Sequence, residues 1–227
     1  MTVETGALDD TDAVIETLLE SFAAAQGFAE PYPHALLSRV LPAAIAEELA
    51  ELPFEAAGVG GVSGKRELHN DTRVYFDKAT CARLPACAAV AAAFQSDEVV
   101  GGVEAAFGAR LAGTFVRIEY AQDLDGFWLQ PHTDLGVKRF TMLLYLADPS
   151  GQADLGTDIY AAPGRWAKRT PFVANTALVF VPGENTWHGL ERRPIAGVRK
   201  SVIMNYVTDA WRERGQLSYP ERPVLLS

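Results

Sequence analysis

Val14, Leu18, Leu19 and Phe22 recur at helical spacing, and Asp10 or Thr11 stands where a cap belongs, so residues 10–26 are predicted as an amphipathic helix. Residues 27–34, with Pro31 and Pro33, break that pattern and read as loop. Residues 36–41 suit either a short strand or the entry to a helix. Pro42 then sits where a first helical turn accepts proline, and residues 43–52 continue as helix. Residues 73–77 read as a strand. The alanine-rich run 86–95 and residues 97–107 read as two further helices.

Beyond Thr114 the period shortens. Residues 114–121, 128–133, 140–147, 176–181 and 200–207 are short β-branched or aromatic runs. Turn residues part them: Asp123-Leu124-Asp125-Gly126, Pro149-Ser150-Gly151, Pro182-Gly183-Glu184-Asn185 and Ala196-Gly197. Several short strands so spaced predict a sandwich or barrel, and the preceding helices pack outside it. The expectation is a single domain, 1–227. Its parts are a helix-rich segment 1–112, a β-core 113–207 and a C-terminal extension 208–227.

Composition narrows the class. Hydrophobic residues form 48% of the chain, enough for a sizeable core, and no run reaches the roughly 18 apolar residues of a membrane span. Met1-Thr2-Val3-Glu4 lacks a signal-peptide signature, which leads us to expect a cytoplasmic protein with no membrane partner. Cys81 and Cys87 form no Cys-x-x-Cys pair and are read as reduced thiols. A formal charge of −9 repels a phosphate backbone, so no nucleic-acid partner is expected. Residues 58–65 imitate a phosphate loop and fail the test. Val59 replaces the first glycine and Arg66 the metal-binding hydroxyl, leaving a surface loop.

The chemistry gathers around few residues. In a strand, side chains at i and i+2 share a face about 6.7 Å apart. His132 and Asp134 therefore aim a nitrogen and an oxygen at one point, and His188, at a turn leading into a strand, supplies a third donor. Two histidines and a carboxylate on one face of an octahedron leave three positions open, the arrangement of non-haem Fe(II) oxygenases. Alternation over 199–206 puts Arg199, Ser201, Ile203 and Asn205 on one face. A guanidinium and a hydroxyl on the inner wall of a barrel call for an anion, which a dicarboxylate cosubstrate provides.

The ordered pieces Arg117-Ile118-Glu119-Tyr120, His132-Thr133-Asp134, Thr141 to Leu146, Ala177 to Pro182, Trp187-His188-Gly189 and Gly197 to Ser201 resemble a known family. They are similar to the double-stranded β-helix (jelly-roll, cupin-like) core of the Fe(II)- and 2-oxoglutarate-dependent dioxygenases, in the prolyl 4-hydroxylase-like branch. Residues 36–52 resemble the helix preceding that core. The resemblance implies a mainly β fold with flanking helices. It implies a hydroxylase that takes Fe(II), 2-oxoglutarate and O2 and releases succinate and CO2, with ascorbate as a reductant. His132, Asp134 and His188 would hold the metal and take part in catalysis. Arg199 and Ser201 would bind the cosubstrate, with Tyr120 and Tyr145 as further hydrogen-bonding candidates. Prolyl 4-hydroxylases carry lysine where this chain has Arg199, which leaves the substrate open between a small molecule and a peptidyl group.

Recognition is expected in two segments flanking the barrel mouth, 122–129 and 149–170, the second as a lid. Their best-suited side chains are Asp123, Asp125, Trp128, Arg165 and Trp166. Lys168 and Arg169 extend the last pair into a basic, aromatic cluster, ordinarily a solvated loop. His34 and His69 lack partner motifs and read as ordinary histidines. Two rival readings stand beside the oxygenase. A cupin-like metal enzyme without 2-oxoglutarate has no use for Arg199 and Ser201. A non-catalytic jelly-roll binding protein has no use for all three metal ligands.

Overall fold

A computed structural model describes residues 4–56, 58, 64, 73–146 and 152–225. The order is α1 (Glu4–Ala23), β1 (Gln26–Phe28), β2 (His34–Ser38), α2 (Ala43–Ala50), β3 (Val74–Tyr75), α3 (Lys78–Arg83), α4 (Pro85–Gln95) and α5 (Asp97–Phe107). Then come β4 (Phe115–Asp123), β5 (Leu129–His132), β6 (Lys138–Tyr145), β7 (Asp158–Ala162), β8 (Arg165–Arg169), β9 (Thr176–Phe180), β10 (His188–Leu190) and β11 (Arg199–Val207).

Two antiparallel sheets form the core. The larger runs β1-β2-β9-β6-β11-β4-β3 and the smaller β5-β10-β7-β8. Both faces of β4 and β11 are covered, because one lies under helices and the other lines the interior. Ile118, Tyr120, Val202, Met204 and Tyr206 pack outward against Val14 and Leu18 of α1 and Val90 and Phe94 of α4. Tyr206 donates to the Phe94 carbonyl at 2.5 Å, which satisfies its buried hydroxyl. The inward face carries Arg199, Ser201 and Asn205, as their alternation predicts.

Local signals explain the helices. Pro85 opens α4, Ser96 caps α5 by accepting from the Val99 amide, and Gly108, at φ 70°, closes α5 in a left-handed turn. The six-residue α3 was not foreseen. Asp77 caps it, accepting from the Thr80 amide. Residues 36–41 resolve in favour of a strand, and part of the expected 27–34 loop pairs with it as β1. The expected lid is corrected more substantially. From Asp158 to Arg169 it is the hairpin β7–β8, fixed in the small sheet by β10. Residues 147–151, His69 and most of 58–65 lie outside the described residues.

Past β11 the chain returns along β4. Ser218 donates to the Val116 carbonyl, and Val224 exchanges amide bonds with Gly113 and Thr114. No helix among the described residues is long and apolar enough to cross a membrane. Cys81 and Cys87 are free thiols, and burial pushes the latter up to about 12.

Candidate metal centre

β5 and β10 are antiparallel neighbours with a register shift after His188, and His132 stands opposite His188, so the two rings meet at a centroid distance of 4.4 Å. Each ring is fixed the same way. The Nδ1 of His132 lies 2.9 Å from the Gln130 carbonyl, and that of His188 lies 2.9 Å from the Thr186 carbonyl. A carbonyl accepts only, so each Nδ1 carries the proton, and Nε2 is the nitrogen that bears the lone pair whenever the ring is neutral. Gly189 permits the close approach: a Cβ there would meet the Leu129 carbonyl oxygen at 2.8 Å. Burial, then the neighbouring His132, pull the His188 pKa down to about 3, which keeps the ring neutral.

Asp134 follows two residues after His132, its side chain only 2% exposed. Its Oδ1 accepts from Lys138 Nζ at 2.5 Å and its Oδ2 from Thr141 Oγ1 at 2.6 Å. Burial alone raises this carboxyl. The charge of Lys138, with hydrogen bonds from Lys138 and Thr141, outweighs burial and holds it well below the ordinary carboxylate range. With Asp134 turned onto Lys138 and Thr141, no trio of His, Cys, Asp or Glu donors closes on one point among the described residues. The donor set nevertheless fits a divalent cation. The two imidazoles can offer Nε2, and the anionic carboxylate retains a second lone pair on each oxygen.

An inner chamber adjoins this group, lined by His132, Asp134, His188, Arg199, Ser201 and Asp123 among others. Arg199 donates through Nε to the Leu155 carbonyl and through Nη1 to Asp123 at 2.7 Å. Arg73 holds the other oxygen of Asp123 at 2.8 Å. Two guanidinium groups, their side chains 8% and 5% exposed, thus share one carboxylate. Among the described residues one positive charge is left over, and a buried surplus charge needs a counter-ion. Beside it Ser201 Oγ is buried with no hydrogen-bond partner. A carboxylate at this pole would answer both.

The other expected residues fall as follows. Tyr145 faces the interior, its hydroxyl bonded to Thr157 and Thr170 at 2.8 and 2.7 Å and its ring 5.9 Å from the Arg199 guanidinium carbon. Tyr120 does not reach the chamber. It stands on the helix-facing side of β4, where burial and then Glu51 push its hydroxyl up to about 12. Asp123 does reach it, as the partner of two arginines and not in a surface loop. Asp125 instead accepts from the Ile195 amide, and Trp128 lies against Arg192. Trp166 donates to Asp158, a fully buried carboxylate that also takes Arg169, Arg193 and the Glu191 amide, while Arg165 is exposed on β8. None of these four lines the chamber.

Tyr32 was missed. It stands on the β1–β2 loop, packs with Phe180, Leu178 and Ile159, and keeps a buried hydroxyl without a partner. Burial, then Tyr145 and Asp134, push that hydroxyl above its ordinary range, which puts it within electrostatic reach of both. The only hint in the sequence is an aromatic between two prolines in a loop.

No family model matches the sequence, and no curated protein matches it either. Solved structures do match by fold. A prolyl hydroxylase from Trichoplax adhaerens, in complex with a hypoxia inducible factor oxygen degradation domain peptide, has a TM-score of 0.59 at 13% identity, covering 92% of this chain and 95% of its own. A Pseudomonas putida prolyl-4-hydroxylase gives 0.55 at 18% identity, covering 86% and 95%. SnoN, a non-heme alpha ketoglutarate dependent epimerase from nogalamycin biosynthesis, gives 0.51 at 16% identity, covering 87% and 84%. The chain has the jelly-roll fold of these oxygenases.

Proposed function

We propose that this chain is an Fe(II)- and 2-oxoglutarate-dependent oxygenase that hydroxylates a small-molecule or peptidyl substrate. The observation that carries the reading is the juxtaposition of two poles in one chamber. One pole is a pair of Nδ1-anchored histidines beside an ionised aspartate. The other is the Arg73–Asp123–Arg199 cluster with its surplus charge and the unpartnered Ser201 hydroxyl. A dicarboxylate with a metal-chelating end satisfies both poles at once; a metal alone satisfies only the first. This favours the oxygenase over the cupin-like enzyme and the binding protein. His132, Asp134 and His188 would hold the iron, and Arg199 and Ser201 the distal carboxylate.

With iron and 2-oxoglutarate bound, O2 is consumed, 2-oxoglutarate is converted to succinate and CO2, and the substrate gains a hydroxyl. The chain's own part is positional. The Gln130 and Thr186 carbonyls fix the histidine tautomers, Lys138 and Thr141 keep Asp134 ionised, and Phe127, Leu143 and Leu190 give the chamber an apolar wall. A cytoplasmic setting and ascorbate as reductant belong to the same proposal. The test is succinate formation from 2-oxoglutarate with Fe(II), ascorbate and air, screened against pooled metabolites and peptides. Stimulation by one pool identifies the substrate class. The absence of succinate in every pool and of any background turnover, in protein shown to be folded, would sink the reading.

A further inference from the structure

His132, Asp134 and Lys138 line two cavities, the inner chamber on one side and an outer cleft on the other. The cleft measures about 680 Å³. That lies inside the range of roughly 300–1,000 Å³ found for small-molecule sites. Its near wall is the turn after β5, and its far wall is residues 210–216. The barrel interior anchors that far wall. Buried Arg117 donates through Nε to Gln216 at 3.0 Å, and its guanidinium carbon sits 4.6 Å from the centre of the Trp211 ring.

Charge decides what suits the cleft. Its two buried cations are both matched, Lys138 by Asp134 and Arg117 by Glu119, each at 2.5 Å. At the rim, exposed Arg212 and Glu213 contribute one charge of each sign. Gln130, Thr133 and Gln216 add uncharged polar groups, and the larger part of the remaining surface is apolar. Leu135, directly after Asp134, is 61% exposed, and Val137 and Trp211 are half-buried. This contrasts with the arginine pole of the chamber, where a positive charge is unmatched among the described residues. A charged ligand gains nothing from such a cleft and loses its hydration, whereas an apolar group gains about 25 cal/mol for each Å² it buries.

We propose that this cleft is the substrate site and that it takes an uncharged molecule carrying an apolar ring or chain, held by Leu135, Val137 and Trp211. The word substrate rests on the oxygenase reading; the binding site does not. The assignment also moves recognition from the 122–129 and 149–170 segments to the turn after Asp134 and the C-terminal strap.

Three probes with one ring and different charges test it: benzamide, benzoate and benzylammonium, each observed by saturation-transfer NMR on the metal-free protein. Benzamide should receive saturation from the wild type and lose it at least about threefold in both Leu135→Glu and Trp211→Ala. Benzylammonium should gain signal in Leu135→Glu, a gain that misfolding cannot produce. Benzoate, suited to the arginine pole, should respond to neither substitution. No transfer to benzamide, or transfer undiminished by Leu135→Glu, overturns the assignment. Iron and 2-oxoglutarate are absent throughout, so the result is separate from the succinate assay. Binding without turnover would sink the oxygenase reading alone, and turnover without cleft binding would sink the cleft alone.

Discussion

Thr141 donates to Asp134 at 2.6 Å while its own oxygen accepts from Asn205 at 2.9 Å. Asn205 in turn accepts from Arg117, so one file of hydrogen bonds runs from the candidate metal carboxylate to the strap behind the cleft. Thr141→Val cuts the file at its first link. Metal affinity should fall about 10- to 100-fold in equilibrium dialysis, the usual cost of removing such a support. Unchanged affinity would mean that Lys138 alone orients the carboxylate.

His132→Ala and His188→Ala should each abolish stoichiometric Fe(II) binding, because either leaves two donors. Gly189→Ala tests the same centre without touching a donor. A methyl group at this crossing must push β10 from β5, since it would lie 2.8 Å from the Leu129 oxygen. Stability should drop by roughly 1–3 kcal/mol and metal affinity should fall with it. A variant with wild-type dialysis and melting curves would refute the tight register.

Arg199→Ala should weaken 2-oxoglutarate binding by about 10- to 150-fold while metal stays bound, as expected for one lost charge-assisted bond. Calorimetry on the metal-loaded protein measures it. Tyr32→Phe tests a second buried group. It should raise the melting temperature of the ligand-free protein, since it removes a buried hydroxyl that has no partner. A lower melting temperature would show that the hydroxyl is already bonded.

Acid should destabilise the metal-free protein. The unfolded His188 takes a proton near 6.5, but the folded one only near about 3. Between those values the unfolded chain binds more protons, so this contribution is complete above 6.5, declines as pH falls and levels off near 3. Asp134 acts in the same sense, as its folded carboxyl is held below the ordinary range and its contribution fades in acid. Urea midpoints should correspond to a loss of about 2 kcal/mol between pH 7 and 5. A flat profile would contradict the buried, neutral His188.

The site was more legible than the frame around it. Alternation along residues 199–206 fixes which side chains enter the barrel, because a strand has only two faces, and Arg199 and Ser201 fall on the inner one. The same rule applies to Tyr120, yet whether the inner face took odd or even positions on β4 depended on its pairing with β11, which sets Tyr120 opposite Val202. The hairpin β7–β8 was illegible for another reason. Arg165-Trp166-Ala167-Lys168-Arg169 has no apolar face, and its strand is stabilised by Asp158, a carboxylate that draws Trp166 and Arg169 of this strand together with the distant Arg193. Such a hub exists only after folding.

The strand order has a kinetic consequence. β11, last of the strands in sequence, sits between β4 and β6 in the interior of the large sheet, and β2 pairs with the distant β9. The sheet cannot zip up from local hairpins; its central seam waits for the two ends of the chain to meet. Loop closure must be paid for before those pairings stabilise anything, which places folding among slow, high-contact-order β proteins at milliseconds to seconds. Until β11 docks, β4 and β6 present unpaired edges. Self-association during refolding should therefore rise with protein concentration, whether or not any ligand is present.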